Sequence, residues 1–225
     1  MNKTVIITGT SSGVGKQCVE RFLNKKWNVI GLSRTNVDLY NANYFHIKTD
    51  IKDPVSIKNS FEIISKKYNS IDLLINNAAV FKMKPLVEFN EEEIDDIIDT
   101  NIKGTIFCTL NTIKIMNKGR IINISSVSGT HGIENQSVYS STKYALNGFA
   151  ESLNQELIKK NILISTICPG GINTPLWNDK NQYPGSDVTK ILNPNDIVNM
   201  IEYIVDLPEN VVLKNVTLFP TCEWH

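Results

Sequence analysis

The run Thr4-Val5-Ile6-Ile7-Thr8 passes directly into Gly9-Thr10-Ser11-Ser12-Gly13-Val14-Gly15. Five β-branched residues in a row suit a parallel strand buried on both faces. The glycines that follow permit a tight turn and a close backbone approach to a phosphate at a helix N-terminus. Val14, Cys18, Val19, Phe22 and Leu23 then recur at helical spacing. A strand, a glycine turn and a helix in this order need a sheet with a helix lying across it. The spacing is Gly-x-x-x-Gly-x-Gly, not the Gly-x-Gly-x-x-Gly of the common dinucleotide fingerprint, and an ordinary glycine-rich turn would carry the same letters.

The rest of the chain repeats that alternation. Strands are expected over 29–32, 44–48, 73–76, 120–124, 162–167 and 212–219, and helices over 55–68, 91–116, 138–160 and 195–207. Asp53-Pro54 and Asn193-Pro194 pair a capping side chain with a proline that the first helical turn accepts. Alternating strands and helices imply right-handed crossovers and a parallel sheet covered on both faces. The expected fold is therefore α/β, a three-layer Rossmann-type doubly wound parallel sheet. A chain of 225 residues can form it as one domain spanning 1–225. The run Glu91-Glu92-Glu93 reads as a solvated helix start that complements the helix dipole. Ile94, Ile97, Ile98, Ile102, Ile106, Leu110 and Ile113 form an apolar stripe broader than a sheet contact requires.

The candidate chemistry lies downstream. Tyr139 and Lys143 are four residues apart, so a helix puts them on one face, and Ser126 precedes Tyr139 by thirteen residues. A cation beside a phenol favours the phenolate and lowers its pKa from about 10 towards the range useful for proton transfer. Alone, a Tyr-x-x-x-Lys pair is common on helix surfaces.

Together these segments resemble the short-chain dehydrogenase/reductase family in its compact form. The family's Thr-Gly-x-x-x-Gly-x-Gly falls on Thr8 to Gly15, its Asn-Asn-Ala-Gly on Asn76-Asn77-Ala78-Ala79, its helical Asn on Asn101, and its Pro-Gly turn on Pro169-Gly170. Ala79 stands where the family usually has glycine. The resemblance implies an NAD(P)-dependent oxidoreductase. In it Tyr139 gives or takes the proton, and Ser126 polarises the substrate oxygen. Lys143 tunes Tyr139 and binds the nicotinamide ribose, while Asn101 holds a water that links Lys143 to solvent. It also implies a cofactor site. Gly9, Gly13, Val14, Gly15, Ser11 and Ser12 would hold the pyrophosphate, and Asp50 and Ile51 the adenine. Asn77 and Ala78 would meet the ribose, and Pro169, Gly170, Ile172 and Thr174 the carboxamide end.

Between cofactors, NAD enzymes of this fold place a carboxylate at the end of the second strand. Here that position reads Ser33-Arg34-Thr35, and no carboxylate appears before Asp38. Arg34 offers a permanently charged fork suited to a phosphate, and Ser33 and Thr35 add hydroxyl donors beside it, so NADP is the preferred expectation over NAD. Asp38 folding back onto the ribose would favour NAD, and Ser12 stands where many NADP-preferring relatives carry a second basic residue.

Twenty-three basic residues balance twenty-three acidic ones, which argues against nucleic acid or an anionic membrane as partner. No apolar run is long enough for a membrane span or a signal peptide. Cys18, Cys108, Cys168 and Cys222 lack metal-site spacing and read as reduced thiols, so a cytoplasmic location is expected. In the family the helix from Glu91 and the one carrying Tyr139 build a subunit interface, so a homodimer or homotetramer is expected. The segment 175–193, with Trp177, Tyr183, Pro184 and Gly185, falls where the family places its substrate lid. It is short and polar, which suggests a small or polar carbonyl or alcohol. His131 could border the substrate or simply sit in a loop. The tail 219–225, with Trp224 and His225, could pack near the cleft, meet another subunit or fray. Two other functions stay open: a silent dinucleotide sensor, and a sugar-nucleotide epimerase or dehydratase on a related fold.

Overall fold

The structure is a computed structural model in which residues 2–37, 39–177, 183 and 187–223 are described. Asp38, Pro184, Gly185, Trp224 and His225, all named above, lie outside the described residues. In chain order the elements are β1 (Thr4–Thr8), α1 (Gly13–Asn24), β2 (Asn28–Ser33), β3 (Tyr44–Lys48), α2 (Pro54–Lys67) and β4 (Leu73–Asn76). Then come α3 (Glu91–Ile98), α4 (Thr105–Ile113), β5 (Gly119–Ile124), α5 (Ser137–Leu157), β6 (Ile162–Pro169), α6 (Pro194–Asp206) and β7 (Asn215–Leu218).

The seven strands form one parallel sheet in the order β3-β2-β1-β4-β5-β6-β7. The chain winds outward from β1 to β3, then returns to lay β4 on the other side of β1. The crevice beyond the C-terminal ends of β1 and β4 is therefore the place where such a sheet binds ligands. Strands β1, β4 and β6 are buried along their whole length, because helices cover both faces. On one face Ile57, Ile64, Cys108 and Leu153 bring α2, α4 and α5 onto the sheet. On the other Cys18, Phe22, Ile197 and Ile201 do the same for α1 and α6. Each buried side chain of this size contributes about 1.5–3 kcal/mol of transfer free energy.

Local chemistry sets the helix starts. Asp53 accepts a bond from the Val55 N–H (2.8 Å) ahead of Pro54, and Asn193 and Asp196 form a reciprocal cap around Pro194. Asn90 and Glu93 cap α3 in the same way. Glu93 is thus no simple solvated residue. It also meets Lys82 (3.1 Å) and Lys84 (2.5 Å), and Lys84, the Asn90 N–H and Lys82 hold its carboxyl down at about 2.

The helix expected over 91–116 is broken in the middle. Residues Asp99–Gly104 form a π turn between α3 and α4. Its buried residues include Asn101, whose Oδ1 accepts from the Val80 N–H (2.8 Å) while its Nδ2 donates to the Val80 carbonyl (2.9 Å) and the Thr142 hydroxyl (3.1 Å). Such single wide turns absorb one extra residue and recur at functional sites. At the end of the turn a Cβ on Gly104 would lie 2.6 Å from the Ile51 carbonyl oxygen. The edge strand β7 is shorter than the expected 212–219, since its ladder to β6 covers only Asn215 to Leu218.

Candidate active site

A cleft of about 350 Å³ opens at the C-terminal ends of the strands. The loop after β1 forms its floor. Gly9 and Gly13 adopt φ of +73° and +53°, a left-handed backbone that glycine enters without strain. A Cβ at Gly15 would stand 2.1 Å from the Gly9 carbonyl oxygen, so α1 can start this close to β1 only with glycine there. Ser12, the residue before α1, makes no side-chain cap, and the first turn of α1 holds no acidic residue. Helices α2, α3 and α6 are all capped by side chains. The open N–H groups of α1 and the positive end of its dipole therefore fit a dinucleotide pyrophosphate.

Sites expected from sequence converge here. Gly9, Ser11, Ser12, Gly13, Val14, Arg34, Asp50, Ile51, Asn77, Ala78, Ser126, Tyr139, Lys143, Pro169, Gly170, Ile172 and Thr174 all line the cleft. Gly15 and Asn101 do not. Gly15 lies behind the loop against Gly9, and Asn101 works through Val80 and Thr142. Ala79, where glycine is usual in similar chains, lines the cleft as well.

Several of these groups are less free than their letters suggest. The Asn77 amide donates to the carbonyls of Thr8 (3.0 Å) and Gly9 (3.2 Å), and Thr8 Oγ1 accepts from the N–H groups of Asn77 and Ala78 (both 3.0 Å). This lattice ties the ends of β1 and β4 together. Ser33, expected to offer a donor beside Arg34, is buried, and its hydroxyl bonds the Thr35 carbonyl (2.8 Å), His46 Nε2 (2.9 Å) and the Thr10 hydroxyl (3.2 Å). That leaves Arg34 and Thr35, both exposed at the mouth.

At the inner end, Ser126 sits just after β5, and Tyr139 and Lys143 lie on the first turns of α5. Lys143 is buried, its Nζ donates to the Ile124 carbonyl (2.9 Å), and it stands 5.4 Å from the centre of the Tyr139 ring. Burial pulls the Lys143 ammonium down to about 8, with Cys168 opposing. Burial likewise pushes the Tyr139 phenol well above its ordinary value, opposed by the Ser126 hydroxyl. The sequence argument anticipated the opposite sign for the phenol. Desolvation disfavours both charged forms, and it outweighs a cation that is itself half-discharged near pH 8. Ser126 Oγ accepts from the Ser128 N–H (3.1 Å) and meets the Ser128 hydroxyl (3.2 Å), which donates to buried Gln136 (2.8 Å).

Trp177 and Tyr183, expected in the lid segment, join Phe81, which carried no sequence signal, in an aromatic wall. Phe81 packs edge-on against Tyr139 (4.8 Å), Trp177 against Phe81 (5.3 Å), and Tyr183 against Trp177 (5.1 Å). Trp177 also donates Nε1–H to the Ile172 carbonyl (2.9 Å) and lines the cleft beside Leu176. His131 lies off the cleft, stacked on Phe219 at 6.2 Å. Cys168 is buried at the end of β6, near Asn147.

Comparison with known proteins agrees with this arrangement. Residues 3–184 match the family model described as short chain dehydrogenase. A diacetyl reductase [(S)-acetoin forming] of Staphylococcus epidermidis is 30% identical over 191 residues, covering 79% of this chain and 74% of that protein. The closed form of a serine dehydrogenase complexed with NADP+ superposes with a TM-score of 0.90 at 25% identity, over 99% of this chain and 96% of the other. A short chain dehydrogenase of Leptospira borgpetersenii with bound NAD+ gives 0.86 at 25% identity, over 98% and 92%. No described helix is long and apolar enough to cross a membrane. Together with the parallel sheet, the glycine-floored crevice and the cluster of Tyr139, Ser126 and Lys143, these matches show that the chain belongs to the short-chain dehydrogenase family as an NAD(P)-dependent oxidoreductase acting on a CH–OH or C=O group.

Proposed function

We propose that this protein reduces a small, uncharged carbonyl compound with NADPH, Tyr139 delivering the proton. The observation that carries the reading is the meeting of Tyr139, Ser126 and buried Lys143 at one end of a cleft whose other end holds the uncapped start of α1 and exposed Arg34. The nicotinamide, when bound, supplies the hydride. The chain's residues do the rest. Ser126 and Tyr139 donate hydrogen bonds to the substrate oxygen, and the Tyr139 proton moves to that oxygen as negative charge develops on it. Ser126 must turn its hydroxyl from Ser128 to do so. Lys143 holds a positive charge behind the phenolate that remains. Asn101 is a positioning residue, fixing Val80 and Thr142.

The substrate class follows from the inner wall. Ala79, Val80, Leu176 and Trp177 line the cleft with Ser126 and Tyr139, and among the described lining residues the only cations are Lys143 and Arg34, the latter at the mouth. A substrate panel with both cofactors tests this. Diacetyl and similar uncharged ketones should be reduced faster than carbonyl compounds bearing a carboxylate; activity restricted to the anionic ones would sink the reading.

NADP is preferred over NAD because Arg34 makes no ion pair among the described residues and faces the cleft at the end of β2. Arg34→Ala should weaken NADPH binding by about 30-fold, the ~2 kcal/mol of a charge-assisted contact, and leave NADH binding nearly unchanged. Equal losses in a fluorescence titration would show that Arg34 does not read the 2′-phosphate.

A homodimer or homotetramer is also proposed. Thr105, Cys108, Thr109 and Thr112 bury the inner face of α4, while Ile102, Ile106 and Ile113 stay half-buried and Leu110 and Tyr144 are exposed. Beside them on α5, a Cβ at Gly148 would meet nothing within 4 Å, which leaves a flat surface for a second copy. Sedimentation at micromolar concentration should give a dimer or tetramer; a stable monomer would remove the idea. The four unpaired thiols suit a reducing cytoplasm, which cell fractionation can check.

A further inference from the structure

The C-terminal segment reaches back to the cleft through one carboxylate. After β7 the chain turns at Thr221–Glu223, and Glu223 Oε2 accepts from the Gly171 N–H at 2.9 Å. Its Oε1 accepts from the Tyr183 hydroxyl. The fit is close: a Cβ on Gly170 would lie 2.5 Å from Oε2, and one on Gly171 would lie 2.5 Å from Oε1. The two glycines after β6 thus leave room for the carboxylate and little else. Two further contacts fix this region. Ile172 and Leu192 form an isolated parallel bridge, and the Cys222 thiol lies 3.5 Å from the Lys190 carbonyl.

From Glu223 an unbroken line of contacts runs to the reacting end. Tyr183 bonds the carboxylate and packs on Trp177, Trp177 packs on Phe81, and Phe81 packs on Tyr139. Trp177, like Tyr139, lines the cleft. Its indole has one hydrogen bond, to Ile172, the residue next to Gly171. One carboxylate therefore holds both supports of Trp177: the backbone beneath it and the phenol beside it.

We propose that Glu223 and Tyr183 are positioning residues that hold Trp177 as the wall of the substrate pocket, so that the C-terminal segment sets substrate affinity without touching substrate. The inference rests on the reading above that Trp177 borders the substrate. Charge-assisted hydrogen bonds are the strong ones, and two bonds sharing one carboxylate couple the segments they join. Losing either should free Trp177 while leaving the glycine floor and the Ser126, Tyr139 and Lys143 cluster in place.

The test uses the full-length, NADPH-loaded enzyme with the variants Tyr183→Phe and Glu223→Gln and the double variant. Tyr183→Phe keeps the ring stack and removes only the hydroxyl. Hydrogen exchange should quicken about tenfold at the amides of Gly171, Asn173, Thr174, Leu176 and Trp177, with α1 unchanged. With diacetyl as the probe, KM should rise about tenfold while kcat and the NADPH dissociation constant stay within about twofold. The double variant should be little worse than either single one, because both bonds belong to one clamp. Unchanged exchange at Gly171, Asn173, Thr174, Leu176 and Trp177 would overturn the clamp, as would loosening spread equally over α1, or a loss confined to kcat. If diacetyl is not turned over, the substrate reading fails and exchange still decides the clamp.

Discussion

Tyr139→Phe lowers turnover by about 10²-fold or more, the scale of general acid catalysis, and leaves NADPH affinity within about twofold. The substitution removes one oxygen and keeps the ring, so the edge-on packing with Phe81 survives. The Lys143 ammonium keeps its bond to the Ile124 carbonyl. What disappears is the hydroxyl of the ring whose centre lies 5.4 Å from the buried Lys143 ammonium. The direction of reaction gives a pH signature. Burial holds the phenol above its ordinary pKa, so it stays protonated and ready to donate through neutral pH. Reduction should therefore hold its rate at neutral pH and fall in strong alkali, while oxidation of the alcohol, which needs the phenolate, should gain as pH rises. Lys143, drawn down to about 8, loses its charge at lower pH, before the phenol titrates. Steady-state rates from about pH 6 into strong alkali, in both directions, check this. Near-native turnover by Tyr139→Phe would show that another group moves the proton.

Gly15→Ala abolishes tight cofactor binding and destabilises the fold. The added methyl would stand 2.1 Å from the Gly9 carbonyl oxygen and 2.7 Å from the Asn77 amide nitrogen, and the first of these is backbone with no rotamer to yield. Forced overpacking costs about 1–3 kcal/mol, which for a chain of this size lowers Tm by roughly 3–10 °C. Affinity suffers separately, because moving α1 away from β1 shifts the N–H groups that face the pyrophosphate. We expect NADPH to bind at least about tenfold more weakly. Gly132→Ala is the control: it adds the same methyl where nothing lies within 4 Å and should change neither quantity. A Gly15→Ala protein with native Tm and native NADPH affinity would show that the close approach is not needed.

Lys143 illustrates why such a site costs stability. Its folded pKa lies below the ordinary lysine value, so the folded chain resists the proton that the unfolded chain holds. The penalty is full below about pH 8 and is relieved as pH rises towards the unfolded value. A buried ammonium kept at that cost is expected at a functional position.

Much of this arrangement could be read from residue order. The β-branched run Thr4 to Thr8, the glycines after it and the 3.6-residue stripes of α1, α2 and α6 are local patterns with local causes, and the doubly wound sheet follows from their alternation. The candidate site residues were placed for the same reason: apart from Asn101, most follow the end of a strand or open a helix, where residue order sets position. What sequence could not supply was the balance of forces between distant segments. The π turn at Asn101 depends on Val80 and Thr142, neither of which is near it in the chain. Ser33 looked like a free donor until Thr10 and His46 were found to use it. The sign of the Tyr139 shift turned on how completely α5 and its neighbours exclude water, a property of the packed state alone. Likewise Glu223 gave no periodic signal in the C-terminal segment. Its meeting with Gly171 and Tyr183 exists only because β7 brings the chain end back beside β6. Short-range order determined the fold and the location of the chemistry; desolvation and long-range hydrogen bonds, which act through space, decided how each group is held and charged.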